Sequence, residues 1–298
     1  VTESRKTGHL LTEKINADTL HLDKCSPLEV VDLILWEDRG IVGAVEKEKV
    51  RIAQAVELVV SKLKSGGRLF FIGAGTSGRL GVIEAAECPP TFGTDPELIQ
   101  GFIAGGREAI WHSIEGAEDS RTESREFLKQ AGLGKNDVVV GIAASSSTPF
   151  VESGLLYAKE IGSGTVLITC NPVESKISDV TIELLVGPEV VVGSTRMKAG
   201  TATKMVLNMI TTASMVQLGK TFGNLMVDVQ PKSAKLKDRA KRIVAHIAGV
   251  NEDRASDLLN ESGWDVKAAI VMEKKGLSFD GAKEILKKHN GFLREALK

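Results

Sequence analysis

Cysteine is scarce in this chain: Cys25, Cys88 and Cys170 stand far apart, with no CxxC pair and no Cys/His cluster. That spacing gives no sign of a zinc site or redox pair of the usual kind. A sparse, odd count suits a reducing compartment. No run of about 18 apolar residues occurs, and the opening VTESRKTGHLLTEK has no apolar signal-peptide core. The expectation is a soluble, cytoplasmic chain with no membrane partner. An excess of either charge is missing too, with 38 Lys+Arg against 39 Asp+Glu. No global field therefore favours nucleic acid, and an anionic ligand must be held by local geometry. The five histidines are scattered and there is no GxSxG elbow, which leaves Ser-His-Asp chemistry unsupported.

What remains is enough for a large α/β domain with an appendage, since the chain has 298 residues. Residues 1–44 are polar with scattered leucines and read as an arm or short helices, suited to packing on a partner subunit. From Val45 onward apolar residues recur at helical spacing: Val50, Ile52, Val56, Val59, Val60 and Leu63. Ser65-Gly66-Gly67 ends that helix. An apolar strand at 69–72 then leads through a glycine-rich turn into a helix expected to close at Pro89-Pro90. The unit recurs at 137–144, where a strand is followed by Ser145-Ser146-Ser147-Thr148 and by Pro149 at a helix start. Further strands read at 165–170 and 181–186, the second leading through GPEVVVGSTRMKAGT into a long apolar helix that ends near Leu218. Strands alternating with helices predict a doubly wound, mostly parallel sheet with ligand loops at the strand C-termini.

After Pro231 the composition changes to short helices at 235–247, 251–259, 264–273 and 279–289, with turns at Gly249, Gly263 and Gly276. DLLNESGWDVKAAIVM resembles small three-helix modules of the ubiquitin-associated type, read here as a helical subdomain and not a ubiquitin binder. The expected organisation is thus an arm (1–44), an α/β ligand-binding domain (45–230) and a helical C-terminal part (231–298).

Two loops carry the functional signal. Gly73-Ala74-Gly75-Thr76-Ser77-Gly78 lies between a strand and a helix; its glycines let backbone N–H groups approach an anion, and Gly75, Thr76 and Ser77 supply donors. It is neither a full GxGxxG fingerprint nor a Walker A loop. The second loop, Ser145 to Thr148, presents four hydroxyls, which suit a phosphate or simply an N-cap. Two such loops in one sheet favour phosphate.

Among the acids, Glu84 and Glu87 lie three apart and share a helix face. If the helix ends at Cys88, the carbonyl end favours a neutral, proton-bearing Glu87. Glu118, if it opens a helix, is favoured as a carboxylate, and the two would form an acid/base pair. Met197, Met205, Met209 and Met215 read as core, and the cations from Lys232 to Arg242 as a solvated helix face.

With these residues in view, GAGTSGRLGVIEAAECPPTFG (73–93), EGAEDSR (115–121), GIAAS and TPF (within 141–150), GPEVVVGSTRMKAGTATKMVLNM (187–209) and GNLMVDVQ (223–230) resemble the N-acetylmuramic acid 6-phosphate etherase family, of the sugar isomerase (SIS) fold. The resemblance implies a homodimer, no metal or nucleotide cofactor, and a sugar-phosphate substrate bearing a lactyl ether. It implies that Glu87 is the acid for the departing lactate and Glu118 the base for the C2 proton. It extends the phosphosugar set beyond the two loops to Arg79, Ser194, Thr195 and Lys198, and makes His289 and Arg294 candidates to close over the ligand. One departure stands out: the family usually reads SGRTPY where this chain has Ser145-Ser146-Ser147-Thr148-Pro149-Phe150. A glycine and an arginine have become serines, so a fixed charge is missing. A phosphosugar aldose–ketose isomerase would use the same fold and base. A phosphosugar-responsive regulator, like the related glucokinase regulatory protein, would use the loops for binding alone.

Overall fold

In the computed structural model, which describes residues 8–174 and 177–298, the chain packs as two compact units. One comprises the chain up to Ala85 together with Glu97–Thr211, the other Ala86–Pro96 with Thr212–Lys298. Of the arm expected over 1–44, residues 1–7 lie outside the described residues.

In the first unit, three 3₁₀ turns (Leu11–Glu13, Ala17–Thr19, Leu22–Lys24) precede helix α1 (Pro27–Asp38). Ser26 and Glu29 form a reciprocal capping box at the start of α1, with Pro27 at its first position. Helix α2 (Gly40–Lys47) leads to α3 (Lys49–Lys64), which buries Ile52, Ala55, Val56, Val59, Val60 and Leu63. That is the stripe expected from the sequence except for Val50, which lies on the opposite, exposed face with Gln54 and Glu57.

Five strands follow: β1 (Leu69–Gly73), β2 (Ile99–Ile103), β3 (Val138–Ile142), β4 (Gly164–Thr169) and β5 (Val180–Glu183). All neighbours are parallel, in the order β2-β1-β3-β4-β5. Strands β1, β3 and β4 are buried along their whole length, so their apolar runs need no alternation. Helix α4 (Gly75–Phe92) joins β1 to β2, α5 (Glu123–Gln130) precedes β3, and α6 (Pro149–Ile161) joins β3 to β4. Alternate β1 residues face opposite layers: Phe71 meets Gly81 of α4, while Ile72 meets Gly154 of α6. The sheet is doubly wound.

Strand β2 carries no strand signature in the sequence. Its residues, IQGFI, include a glutamine and a glycine, and it is one of the two edge strands. A Cβ at Gly101 would lie 2.8 Å from Cα of Val82, so the glycine that hides the strand is what lets α4 pack on it. The last strand is shorter than the expected 181–186 and ends at Glu183, whose carboxylate accepts the N–H of Val173.

Helix α7 (Lys198–Gln217) crosses from the first unit into the second. It buries Met215 fully, but Met209 is exposed and Met197 and Met205 only half-buried, so the methionines are not one core stripe. A two-stranded hairpin, β6 (Thr221–Phe222) with β7 (Leu225–Met226), opens the rest of the second unit. Helices α8 (Ala234–Ala248), α9 (Glu252–Glu261), α10 (Val266–Lys275), α11 (Phe279–Lys288) and α12 (Leu293–Ala296) complete it. Ser233, Asn251, Asp265 and Ser278 each cap the next helix through the side chain. Val244, Leu258, Leu259, Ile270 and Val271 centre its core. Among the described residues no helix is long and apolar enough to cross a membrane.

Candidate active site

The order β2-β1-β3 places a topological switch point between β1 and β3, where open α/β sheets bind ligands beyond the strand C-termini. Gly73 pairs in register with Ile142, so the two expected loops leave the sheet side by side.

The first loop is a strand-to-helix turn so tight that only glycine fits. A Cβ on Gly78 would sit 2.6 Å from the Gly73 carbonyl oxygen, and one on Gly73 would lie 2.8 Å from the Gly78 nitrogen. Helix α4 starts at Gly75, so Gly75, Thr76 and Ser77 form its first turn, whose N–H groups have no intrahelical acceptor. Thr76 and Ser77 are half-buried.

The second loop turns on Ser146, whose N–H reaches the Ala143 carbonyl and whose φ is +68°. Thr148 occupies the N-cap of α6, yet its hydroxyl makes no capping bond; it lies 3.4 Å from the Ser145 hydroxyl. The bland expectation that these hydroxyls serve only as a cap is therefore not met.

A third segment, residues 187–197, comes alongside. Glu189 is buried and accepts the N–H groups of Lys198 and Ala199, each at 2.9 Å, pinning the segment to the start of α7. Burial pushes its carboxyl above the usual carboxylate range; the two N–H bonds and Lys198 oppose that, and Asp38 reinforces it. A Cβ on Gly200 would be 3.4 Å from the Thr195 carbonyl oxygen and 3.6 Å from Thr76 Cγ2, so the first and third segments converge. Ser194 and Thr195 are half-buried there. Lys198, expected as an anion ligand, is buried and its ammonium is ion-paired with Glu37.

The N-terminal stretch closes this end of the sheet from within its own unit. Asn171 accepts from the N–H groups of Leu11 and Thr12 and donates to the Thr12 hydroxyl and the Ala144 carbonyl. Thr19 donates to the Val190 carbonyl. Residues 10–19 are thus tied to their own unit. Helix α1 is different: it buries no residue, and Leu28, Val31, Leu35 and Trp36 are all more than half exposed.

The helix ends differ from expectation. Helix α4 does not stop at Cys88 but runs through Pro89 and Pro90 to Phe92. Neither proline has an N–H to give, so the helix continues without two of its ladder bonds. Glu87 is exposed, and Glu84, three residues before it, is buried and accepts from Lys204, Asn208 and Thr211 of α7. The two acids do not share an environment. Glu118 opens no α-helix either; it sits in the 3₁₀ turn Ala117–Asp119 after Gly116, exposed, and Glu123 takes the start of α5. Both helix-end arguments for the protonation states therefore lose their premise, because they assumed boundaries that proline and glycine did not set.

Glu118 lines a cavity of about 290 Å³ with Ala74, Gly75, Arg79, His112 and Glu115. Arg79 stretches across its wall: Nε donates to the Ile110 carbonyl at 2.9 Å and Nη2 to that of His112 at 3.0 Å. In the second unit, the Arg294 guanidinium stacks over Phe222 at 4.7 Å, and His289 ends α11. The cations of α8 are a partly solvated face: Arg242 pairs with Asp238, and Lys237 lies over Trp264. Among the described residues no three His, Cys, Asp or Glu side chains are grouped to hold a metal.

Comparison with known proteins bears on this arrangement. A family model described as the glucokinase regulatory protein N-terminal SIS domain matches residues 51–159. The chain is 50% identical over 292 residues (97% of this chain, 96% of the relative) to the N-acetylmuramic acid 6-phosphate etherase of Clostridioides difficile. It is 50% identical over 291 residues (97% and 99%) to that of Geobacillus thermodenitrificans and 50% over 297 residues (99% and 96%) to that of Microcystis aeruginosa. Among solved structures, a phosphoheptose isomerase from Francisella tularensis is similar with a TM-score of 0.43 at 16% identity, covering 63% of this chain and 100% of that one.

Proposed function

This chain belongs to the N-acetylmuramic acid 6-phosphate etherase family, and from that premise we propose that it cleaves the D-lactyl ether of N-acetylmuramic acid 6-phosphate. It is a carbon–oxygen lyase of amino sugar recycling: substrate and water become N-acetylglucosamine 6-phosphate and D-lactate. The observation that carries this reading is the half-identity to such etherases over nearly the whole of both chains. A regulator or an aldose–ketose isomerase is not favoured, although the matched SIS model is that of a regulatory protein.

The chemistry follows from the substrate. In the open-chain sugar the ether oxygen at C3 is β to the aldehyde. Removing the C2 proton yields an enolate that expels lactate, and water then adds to the resulting unsaturated aldehyde at C3. The sequence of steps needs a base at C2 and an acid at the departing oxygen. We assign the base to Glu118 and the acid to Glu87 on the resemblance of their motifs. The 290 Å³ cavity that Glu118 lines supports the first assignment. Phosphate recognition is assigned to the N–H groups and hydroxyls of Gly75, Thr76, Ser77, Ser145, Ser146, Ser147, Thr148, Ser194 and Thr195. Support comes from the adjacency of the loops after β1 and β3 and the approach of Thr76 to Gly200. A homodimer is supported by the exposed apolar stripe of α1, and a cytoplasmic setting by three free cysteines.

The test is turnover of N-acetylmuramic acid 6-phosphate in water enriched in heavy oxygen. Lactate release with label at C3 of the product is expected; no lactate would end the lyase reading. Glu87→Gln should keep C2 proton exchange while blocking lactate loss, and Glu118→Gln should abolish exchange. The reverse pattern would exchange the two roles.

A further inference from the structure

We infer that Arg79 is a positioning residue for C2 proton abstraction, holding the segment that carries Glu118 against α4, and is not an anion ligand for the substrate phosphate. The inference rests on the assignment of Glu118 as base.

Residues 107–119 follow one left-handed glycine, Gly106 at φ +68°, and contain a second, Gly116 at φ +74°. Within the segment the backbone bonds are local, such as Ala109 N–H to Gly106, Trp111 and His112 N–H to Glu108, and Asp119 N–H to Gly116. Among the described residues, the hydrogen bonds that tie 107–119 to another element are those of Arg79, to Ile110 and His112. Apolar anchorage is uneven: Ala109 is buried and Ala117 packs against the core beside α6, but Trp111 is 75% exposed and Ile114 is 43% exposed. The stretch 110–115, between those two anchors, is held to α4 by that guanidinium.

The side-on edge of the fork is closed to phosphate, leaving only the Nη1/Nη2 end to an anion. A guanidinium grips an oxyanion through two parallel N–H donors along one edge. The Nε/Nη2 edge of Arg79 is already spent on two carbonyls two residues apart. Those carbonyls cannot rotate away without moving the segment. The cavity between α4 and the segment is the one that Glu115 and Glu118 line, and Arg79 lines it too while gripping the segment. A base displaced by about 1 Å loses on the order of 10²-fold in rate.

The experiment measures C2 deuterium exchange, kcat and KM for N-acetylmuramic acid 6-phosphate, and inhibition by inorganic phosphate. Arg79→Gln is expected to lower exchange and kcat together by about 10²-fold, with KM and phosphate inhibition within about twofold. Arg79→Lys, able to reach one carbonyl at a time, should recover part of the rate and remains informative if the glutamine variant does not fold. Added to Glu118→Gln, Arg79→Gln should have no further effect on exchange. A roughly tenfold rise in KM and in the phosphate inhibition constant at unchanged kcat would make Arg79 an anion ligand and overturn the inference. Lactate loss falling while exchange persists would equally overturn it. If Glu118→Gln itself leaves exchange intact, the assignment of the base fails. If Glu118→Gln abolishes exchange and Arg79→Gln does not slow it, the base stands and the positioning role falls.

Discussion

Ser146 is the clearest case of a single residue under strain. It stands where the resembled family has glycine, and it adopts the left-handed φ of +68° that glycine takes freely. Left-handed backbone costs an L-residue about 1–2 kcal/mol, whereas a glycine adds about 0.5–1 kcal/mol of unfolded-state entropy. Strain wins, so Ser146→Gly should stabilise the protein by roughly 0.5–1 kcal/mol, read as a higher urea midpoint. A lower midpoint would mean the Ser146 side chain holds the loop. Glu189 makes a second prediction, in pH. Its folded carboxyl lies above the ordinary value of 4.5, chiefly through burial. Between 4.5 and that raised value the folded chain keeps a proton that the unfolded chain has released. The group's contribution is therefore fully present below 4.5 and is lost as pH rises through the folded value. Urea unfolding of wild type against Glu189→Gln should show the gap moving toward wild type on acidification; a gap constant with pH would refute it. The substitution at 146 was visible in the sequence as a departure from a motif. The sign of φ was not, because it depends on how the turn must close between Ala143 and Pro149.

Elements were readable where one face met the core of their own unit. The stripe of α3 and the buried runs of β1, β3 and β4 were evident because apolar periodicity records burial directly. Edge strand β2 was hidden by Gly101, which serves α4 and not the sheet. Helix α1 was read only as scattered leucines, yet Leu28, Val31 and Leu35 form one i, i+3, i+7 stripe with solvent over it. Covering that stripe with a second copy is the dimer proposed above. Leu35→Asp should convert the dimer to monomer in sedimentation equilibrium while leaving the helical circular dichroism signal, because the side chain is 56% exposed within one chain. Undiminished dimer would move the interface elsewhere. Helix α4 shows the opposite failure of local reading: two prolines predicted a stop, and the helix continues because packing outweighs the lost ladder bonds.

At the scale of the molecule, the second unit has its own internal lock. Lys267 is buried, and its ammonium donates to Asp228 at 2.6 Å, to the Gly291 carbonyl at 2.8 Å and to the Gly219 carbonyl at 2.9 Å. One side chain thus ties the end of α7, the segment after β7 and the turn after α11. Burial pulls its ammonium below the usual lysine range, against the opposing pull of Asp228. Removing one partner of a buried pair costs about 3–5 kcal/mol; with Lys220 still 3.4 Å from Asp228, Lys267→Met should cost toward the lower end. Urea unfolding followed through Trp264, with Trp36 and Trp111 replaced by Phe, reads this unit; an unshifted midpoint would show the lock to be idle. Nothing in VKAAIVM marked that lysine, since its three acceptors come from distant segments. The same divide runs through the candidate site. Residue types and short spacings were enough to reveal a parallel α/β sheet, two hydroxyl-rich loops and the family, because helix and strand periodicity and turn chemistry are local. The order β2-β1-β3, which sets those loops side by side, depended on packing across the fold. So did the partners of the cations: Lys198 turns to Glu37 and Arg79 to two carbonyls. A charged side chain's partner is chosen by whichever opposite group the folded chain brings within about 3 Å, and no spacing along the sequence records that distance.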